Sequence, residues 1–238
     1  MNTDRKTFMW IAIFSIAMAA LEAAVVVYLR ALYYPEEFTV AFRLIDERIL
    51  LVELAREAST LVMLLSVGFI TGKNFNQRLA WFLISFAIWD ISYYGWLKVF
   101  IDWPSSLLDW DILFLIPVTW IGPVAAPLIC SMVMIVLGFT ILKTDVTIPK
   151  AVWALIFGGI VVTLFTFIRD YAGLIIDNGL VHHFPNLLRN KLFLEKAAQL
   201  EPQPYLWNIF WIGQLMFISG IVVLLRQMSG RSEGLSAA

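Results

Sequence analysis

The chain alternates between long apolar runs and short polar connectors, and that alternation predicts its elements. Six runs stand out: Phe8 to Leu29, whose only charge is Glu22, Ile49 to Thr71, Leu79 to Ile101, Trp120 to Leu142, Ala151 to Ile176 and Tyr205 to Leu225. A helix needs about 20 apolar residues to cross the hydrocarbon of a bilayer, and each run is long enough. The expected fold is an all-α membrane protein of six transmembrane helices, one domain over residues 1–226 followed by a disordered Ser/Gly-rich tail, 227–238. Residues 1–7 with Arg5 and Lys6, followed by Ala17-Met18-Ala19, imitate a secretory signal. The apolar run continues well past Ala19, so we expect a retained first helix. Its alanines at 17, 19, 20, 23 and 24 leave room for neighbours to approach closely.

The connectors refine this outline. Residues 30–48 are polar, 72–78 form a short basic turn, and 102–111 carry Asp102, Asp109 and Asp111 among tryptophans. Ile112 to Pro117 is apolar but too short to cross, which suits a re-entrant or interfacial piece. Pro123 and Pro127 fall in the first turns of the predicted fourth helix, where proline is best tolerated. In the long connector 177–204, leucines and Phe193 interleave with Arg189, Lys191, Glu195 and Lys196 from Asn186 to Leu200, the pattern of a short amphipathic helix at the outer surface between helices five and six. Tryptophans 81, 96, 103, 110, 120, 207 and 211 fall mostly near run ends, as an aromatic belt would.

Charge sets the expected orientation. The N-terminus, the turns 72–78 and 143–150 and the tail carry eight basic residues against Asp4, Asp145 and Glu233. The other three connectors hold ten acids and six bases. Basic short loops face the cytoplasm, which puts both termini there and makes the chain a multi-pass protein of the plasma (inner) membrane.

Composition agrees with lipid as the solvent. Hydrophobic residues are 61% and charged residues 15% of the 238, with mean hydropathy +0.81, against roughly 45–50% and 25% in soluble domains. A net charge of −1 excludes a nucleic-acid partner, because phosphate binding needs a basic surface. Cys130 is the single cysteine and the histidines are only His182 and His183. An internal disulfide is thereby excluded, and neither a metal nor a cofactor is expected. No glycine-rich phosphate loop, nucleophile elbow or H-E-x-x-H is present.

The remaining candidates for chemistry are the charges inside the runs. A charge at the centre of a spanning helix costs about 2.5 to 3.5 kcal/mol on insertion scales, so it needs a partner and marks a candidate site. Glu53, Arg56, Glu57 and Thr60 share one helical face, as do Asp90, Tyr93 and Tyr94. With Glu22, Arg169 and Asp170 they fall, under the predicted topology, at mid-depth or in the outer half. Five acids against two arginines, with Lys98 at an outer end, leave negative charge that must take up protons, bind a cation or meet water. The nine residues Glu22, Glu53, Arg56, Glu57, Asp90, Tyr93, Tyr94, Arg169 and Asp170 form the candidate proton, cation or substrate site.

Three functions fit that cluster. The leading expectation is a transporter of a small solute coupled to protons or a cation. An enzyme acting from the outer face would add His182 or His183 as acid or base. A subunit packing against other membrane proteins would use the charges only as interhelical pairs, such as Glu22 with Arg56 and Asp90 with Arg169. Asp109 and Asp111 could bind a cation at the cavity mouth. The stretch Trp89 to Leu97 also echoes Trp207 to Leu215, in helices of opposite direction, as inverted repeats would. The orientation is open to a direct check. A membrane-impermeant thiol reagent applied to cells should label a cysteine placed at Glu201 but not one placed at Ser232.

Overall fold

The computed structural model describes residues 2–33, 47–144 and 147–236. Seven α-helices carry most of the chain: α1 Asn2–Tyr33, α2 Glu47–Thr71, α3 Phe75–Ile101, α4 Ala125–Lys143, α5 Lys150–Asp177, α6 Lys191–Ala198 and α7 Trp207–Ser236. Between α3 and α4 stand two antiparallel strands, β1 Trp110–Phe114 and β2 Trp120–Pro123. Among the described residues, four stretches are long and apolar enough to cross a membrane: Arg5–Tyr33, Ala125–Lys143, Lys150–Asp177 and Trp207–Ser229. Trp10, Leu21, Val62, Ile70 and Phe157 point outward from the helices, a surface that a water-soluble fold would cover.

Packing shows how the helices run. At one end, Ile11 of α1 meets Trp81 and Ile84 of α3, with Val67 of α2 and Phe139 of α4 against them. The starts of α3 and α5 likewise meet the ends of α4 and α7 through Ala80, Val152, Leu137, Ile141 and Leu224. At the other end Leu50, Ile121, Tyr171, Leu180 and Phe193 share a cluster. The six long helices therefore alternate in direction. Helix α3 packs on α1, α2 and α4, while α7 packs on α4 and α5. The connector 34–46 and residues 145–146 lie outside the described residues.

Gly213 explains the closeness of α5 and α7. A Cβ there would meet the Gly159 carbonyl at 3.1 Å and collide with Thr163 Oγ1. Small residues let helix backbones approach where lipid offers no hydrophobic drive for association.

The fold is mainly helical, as expected, and the hairpin corrects the expected start of the fourth helix. Residues 120–123 pair with 110–114 in the register Trp110 with Pro123, Ile112 with Ile121 and Phe114 with Trp120, so α4 begins only at Ala125. The short apolar piece 112–117 is thus strand and turn. Pro117 and Pro123 lack the amide that helical bonding requires, and Ile112, Val118 and Ile121 favour extended backbone. The ladder is prolonged by the Val124 and Ala125 amides, which donate to the Asp109 and Leu107 carbonyls at 2.9 and 2.8 Å. Gly122 lies against the Phe167 ring of α5, where a Cβ would come within 3.1 Å of the ring.

The connector after α5 also differs from the amphipathic helix expected over 186–200. A 3₁₀ segment, Leu180–Arg189, comes first. Helix α6 follows, its first turn capped by Asn190, whose side chain accepts from the Phe193 amide at 3.2 Å. Phe193 and Ala197 turn inward against α5 and the hairpin. The α7 helix is traced to Ser236, beyond residue 226.

Replacing Gly213 with Val is expected to destabilise the fold by about 1 to 3 kcal/mol, the usual cost of overpacking. A thermal melt of the detergent-solubilised protein should show the loss, and an unchanged melting temperature would contradict the close α5–α7 contact.

Candidate functional site

A cavity of about 260 Å³ lies in the half of the bundle that carries the hairpin. Glu22 of α1, Arg56 and Glu57 of α2, and Asp90, Tyr93 and Tyr94 of α3 line one side. Phe114 and Trp120 of the hairpin, Ser131 and Met134 of α4, Phe167 of α5 and Phe217 of α7 make up much of the rest. The helical spacings that place Glu53, Arg56 and Glu57 on one face of α2, and Asp90 with Tyr93 and Tyr94 on one face of α3, thus converge on common ground.

Each charged group has its own arrangement. Arg56 spans two helices: its Nε donates to Glu53 Oε2 at 2.7 Å, and its Nη1 pairs with Glu22 of α1. The Thr60 hydroxyl donates to the second oxygen of Glu22 at 3.2 Å. One guanidinium therefore answers two carboxylates, and Glu53 sits behind Arg56 rather than on the cavity wall. Glu57 does something different. Both of its oxygens accept from the Leu115 amide, at 2.8 and 3.1 Å. The side chain ties α2 to the turn of the hairpin and satisfies a backbone donor that no strand partner reaches.

Asp90 is the least committed of the four. It is 9% exposed and lines the cavity. The Ser131 hydroxyl of α4 donates to its Oδ2 at 2.8 Å, while no described residue donates to Oδ1. The Tyr93 hydroxyl, one turn along α3, also makes no hydrogen bond to a described residue. Tyr94 instead lies close to Asp111 of β1.

Several expected placements are overturned. Asp90 does not pair with Arg169. Arg169 bonds its neighbour Asp170 at 2.8 Å and the Pro204 carbonyl at 3.4 Å, and Asp170 accepts from the Gln203 amide at 3.0 Å. These two residues anchor the approach to α7 and stand apart from the cavity lining. His182 and His183 are exposed on the 3₁₀ segment and are absent from the lining. Asp111 is no cation ligand at a mouth. It is buried against Arg30, 3.0 Å away, whose guanidinium also lies 3.8 Å above the Trp103 ring. Burial pushes the Asp111 carboxyl up to about 6, with Arg30 acting in the opposite direction. Asp109 accepts from the Ser105 and Ser106 amides and closes a turn. Lys98 pairs with Asp102 at the surface.

Arg30 and Ser131 are the site neighbours that sequence reasoning missed, and Asp111 was expected in a different role. Arg30 had a signal, since Glu22, Val26 and Arg30 follow at four-residue steps along one face of α1. Ser131 had none, being one small hydroxyl in an apolar run. No group of three or more His, Cys, Asp or Glu residues among the described residues could hold a metal ion.

The fold and cavity together define a helical protein with apolar, membrane-length helices around a partly charged internal site. No protein-family model, no curated protein and no solved structure matches the chain.

The hairpin wall is predicted to depend on Glu57. Glu57→Leu leaves the Leu115 amide buried without an acceptor, at a cost of about 1 to 3 kcal/mol. Hydrogen exchange at Leu115 should quicken markedly while exchange in α5 and α7 stays slow. Unaltered protection of the hairpin would refute the tether.

Proposed function

We propose that this is a multi-pass inner-membrane transporter that moves a small solute coupled to protons or a cation through the cavity beside Asp90. In this reading α1, α2, α3, α4, α5 and α7 are six spans, both termini are cytoplasmic, and the hairpin and α6 lie toward the outer side. The alternating direction of the six long helices supports it. So does the gathering of Lys73, Arg78, Lys143 and Lys150 at the bundle end opposite the hairpin, as the positive-inside rule requires.

The observation that carries the proposal is the free Oδ1 of Asp90 within a cavity walled by six helices and the hairpin. A carboxylate buried without a compensating charge is costly. It therefore holds a proton or meets a cation, and exchanging one for the other is the elementary act of a coupled carrier. The remaining acids are already occupied: Glu22 and Glu53 by Arg56, and Glu57 by the Leu115 amide. That leaves Asp90 as the group free to change partners. Irregular backbone is tolerated at membrane depth where it lines a cavity, as the hairpin does here. The exposed histidines lie away from the lining, which gives the enzymatic alternative no acid–base partner for these carboxyls.

Proteoliposomes offer the decisive test. Asp90→Asn should leave the protein folded and abolish proton-driven solute accumulation, while Asp170→Asn should retain it. Undiminished proton coupling in a folded Asp90→Asn protein would overturn the assignment.

A further inference from the structure

Resting on the reading of the cavity as a solute site, we infer that the solute is a lipophilic ammonium cation that binds Asp90 in exchange for one proton. Three features of the cavity point to that chemistry.

The first is the state of its charges. Among the described residues Arg56 is the only lining cation, and its guanidinium is engaged by Glu22 and Glu53. An anionic solute would find no uncommitted positive group. A cation finds Asp90 Oδ1, with the carboxylate already oriented by Ser131 on its other oxygen.

The second is the wall. Tyr93, Trp89, Phe86, Phe114 and Trp120 form a continuous run of rings, with successive centroids 6.2, 5.4, 6.3 and 5.4 Å apart. Aromatic faces attract cations and also bury the apolar body that carries the charge. An inorganic cation would call for a shell of oxygen ligands, whereas this wall is mainly carbon.

The third is charge balance. With Asp90 neutral, the incoming ammonium brings one positive charge and the carboxyl releases one proton, so the buried charge is the same before and after. The other ionisable groups around Asp90 are Glu22 of α1, Arg56 and Glu57 of α2, Tyr93 and Tyr94 of its own helix, Asp111 of β1 with its partner Arg30, and the Cys130 thiol of α4. Thr163 of α5 and Phe217 of α7 complete the lining without an ionisable group.

The test uses purified full-length protein in detergent, with phenylpropyl-trimethylammonium as the probe and its uncharged tert-butyl analogue as control. The quaternary cation cannot itself carry a proton. It should quench tryptophan fluorescence saturably and release about one proton per site in weakly buffered solution. Its affinity should rise by about tenfold per pH unit over the range where Asp90 is protonated. The neutral analogue should bind at least about tenfold more weakly at the upper end of that range, a difference of about 1.4 kcal/mol. Asp90→Asn should abolish proton release, and Asp90→Glu should restore it. Equal binding of the two probes, or cation binding without proton release by the unaltered protein, would overturn the inference. Cation binding with proton release but no flux in proteoliposomes would leave the ligand class standing and remove the transport reading. Coupled flux of another solute, with no binding of this cation, would do the reverse.

Discussion

The hydrogen bond from the Leu115 amide to Glu57 is the contact on which the site depends. A hairpin inserted among apolar helices brings backbone donors and acceptors that its short ladder cannot all satisfy. Glu57 takes up one of them at the turn, where the strands no longer pair. The same side chain fixes the hairpin relative to α2, and so fixes one wall of the cavity. Arg30 and Asp111 hold the hairpin's other flank to α1, and Gly122 presses it to α5. The cavity exists because a non-helical segment is pinned among helices at three places.

Around that wall the buried charges divide between structure and chemistry. Arg56 with Glu22 and Glu53 joins α1 to α2, one guanidinium facing two carboxyls. Such a group contributes little net stability but penalises any packing that separates its members. Arg169 and Asp170 do similar work at the entry to α7. Asp90 is the exception, because its only partner among the described residues is a neutral hydroxyl. Surplus acid does not distinguish these roles. The partners do, since a carboxyl that faces a guanidinium or a backbone amide differs from one that meets only a hydroxyl.

Much of this was legible in the chain. Apolar runs near the length of a membrane crossing mark the long helices, because a helix satisfies its own backbone and needs only apolar side chains around it. The helical faces of Glu53, Arg56 and Glu57, and of Asp90 with the tyrosines, follow from a period of 3.6 residues. The Glu22–Arg56 pair followed from complementary charge at similar expected depth. The hairpin escaped notice because a short apolar run with proline reads equally well as a helix start. The supposed Asp90–Arg169 pair failed because depth along a helix says nothing of the direction in which a residue faces.

The sequence by itself determined which segments are helical and apolar, and which few residues carry charge into them. Both are local properties, set by side-chain solvation and backbone geometry over a few turns. Only the tertiary structure decided that the hairpin closes the space between α2 and α5, that Glu57 is spent on a backbone amide, and that Ser131 leaves half of Asp90 unclaimed. Those outcomes depend on contacts between residues 40 to 60 positions apart. Such contacts are chosen by how the helices rotate and pack, which no single stretch of sequence specifies.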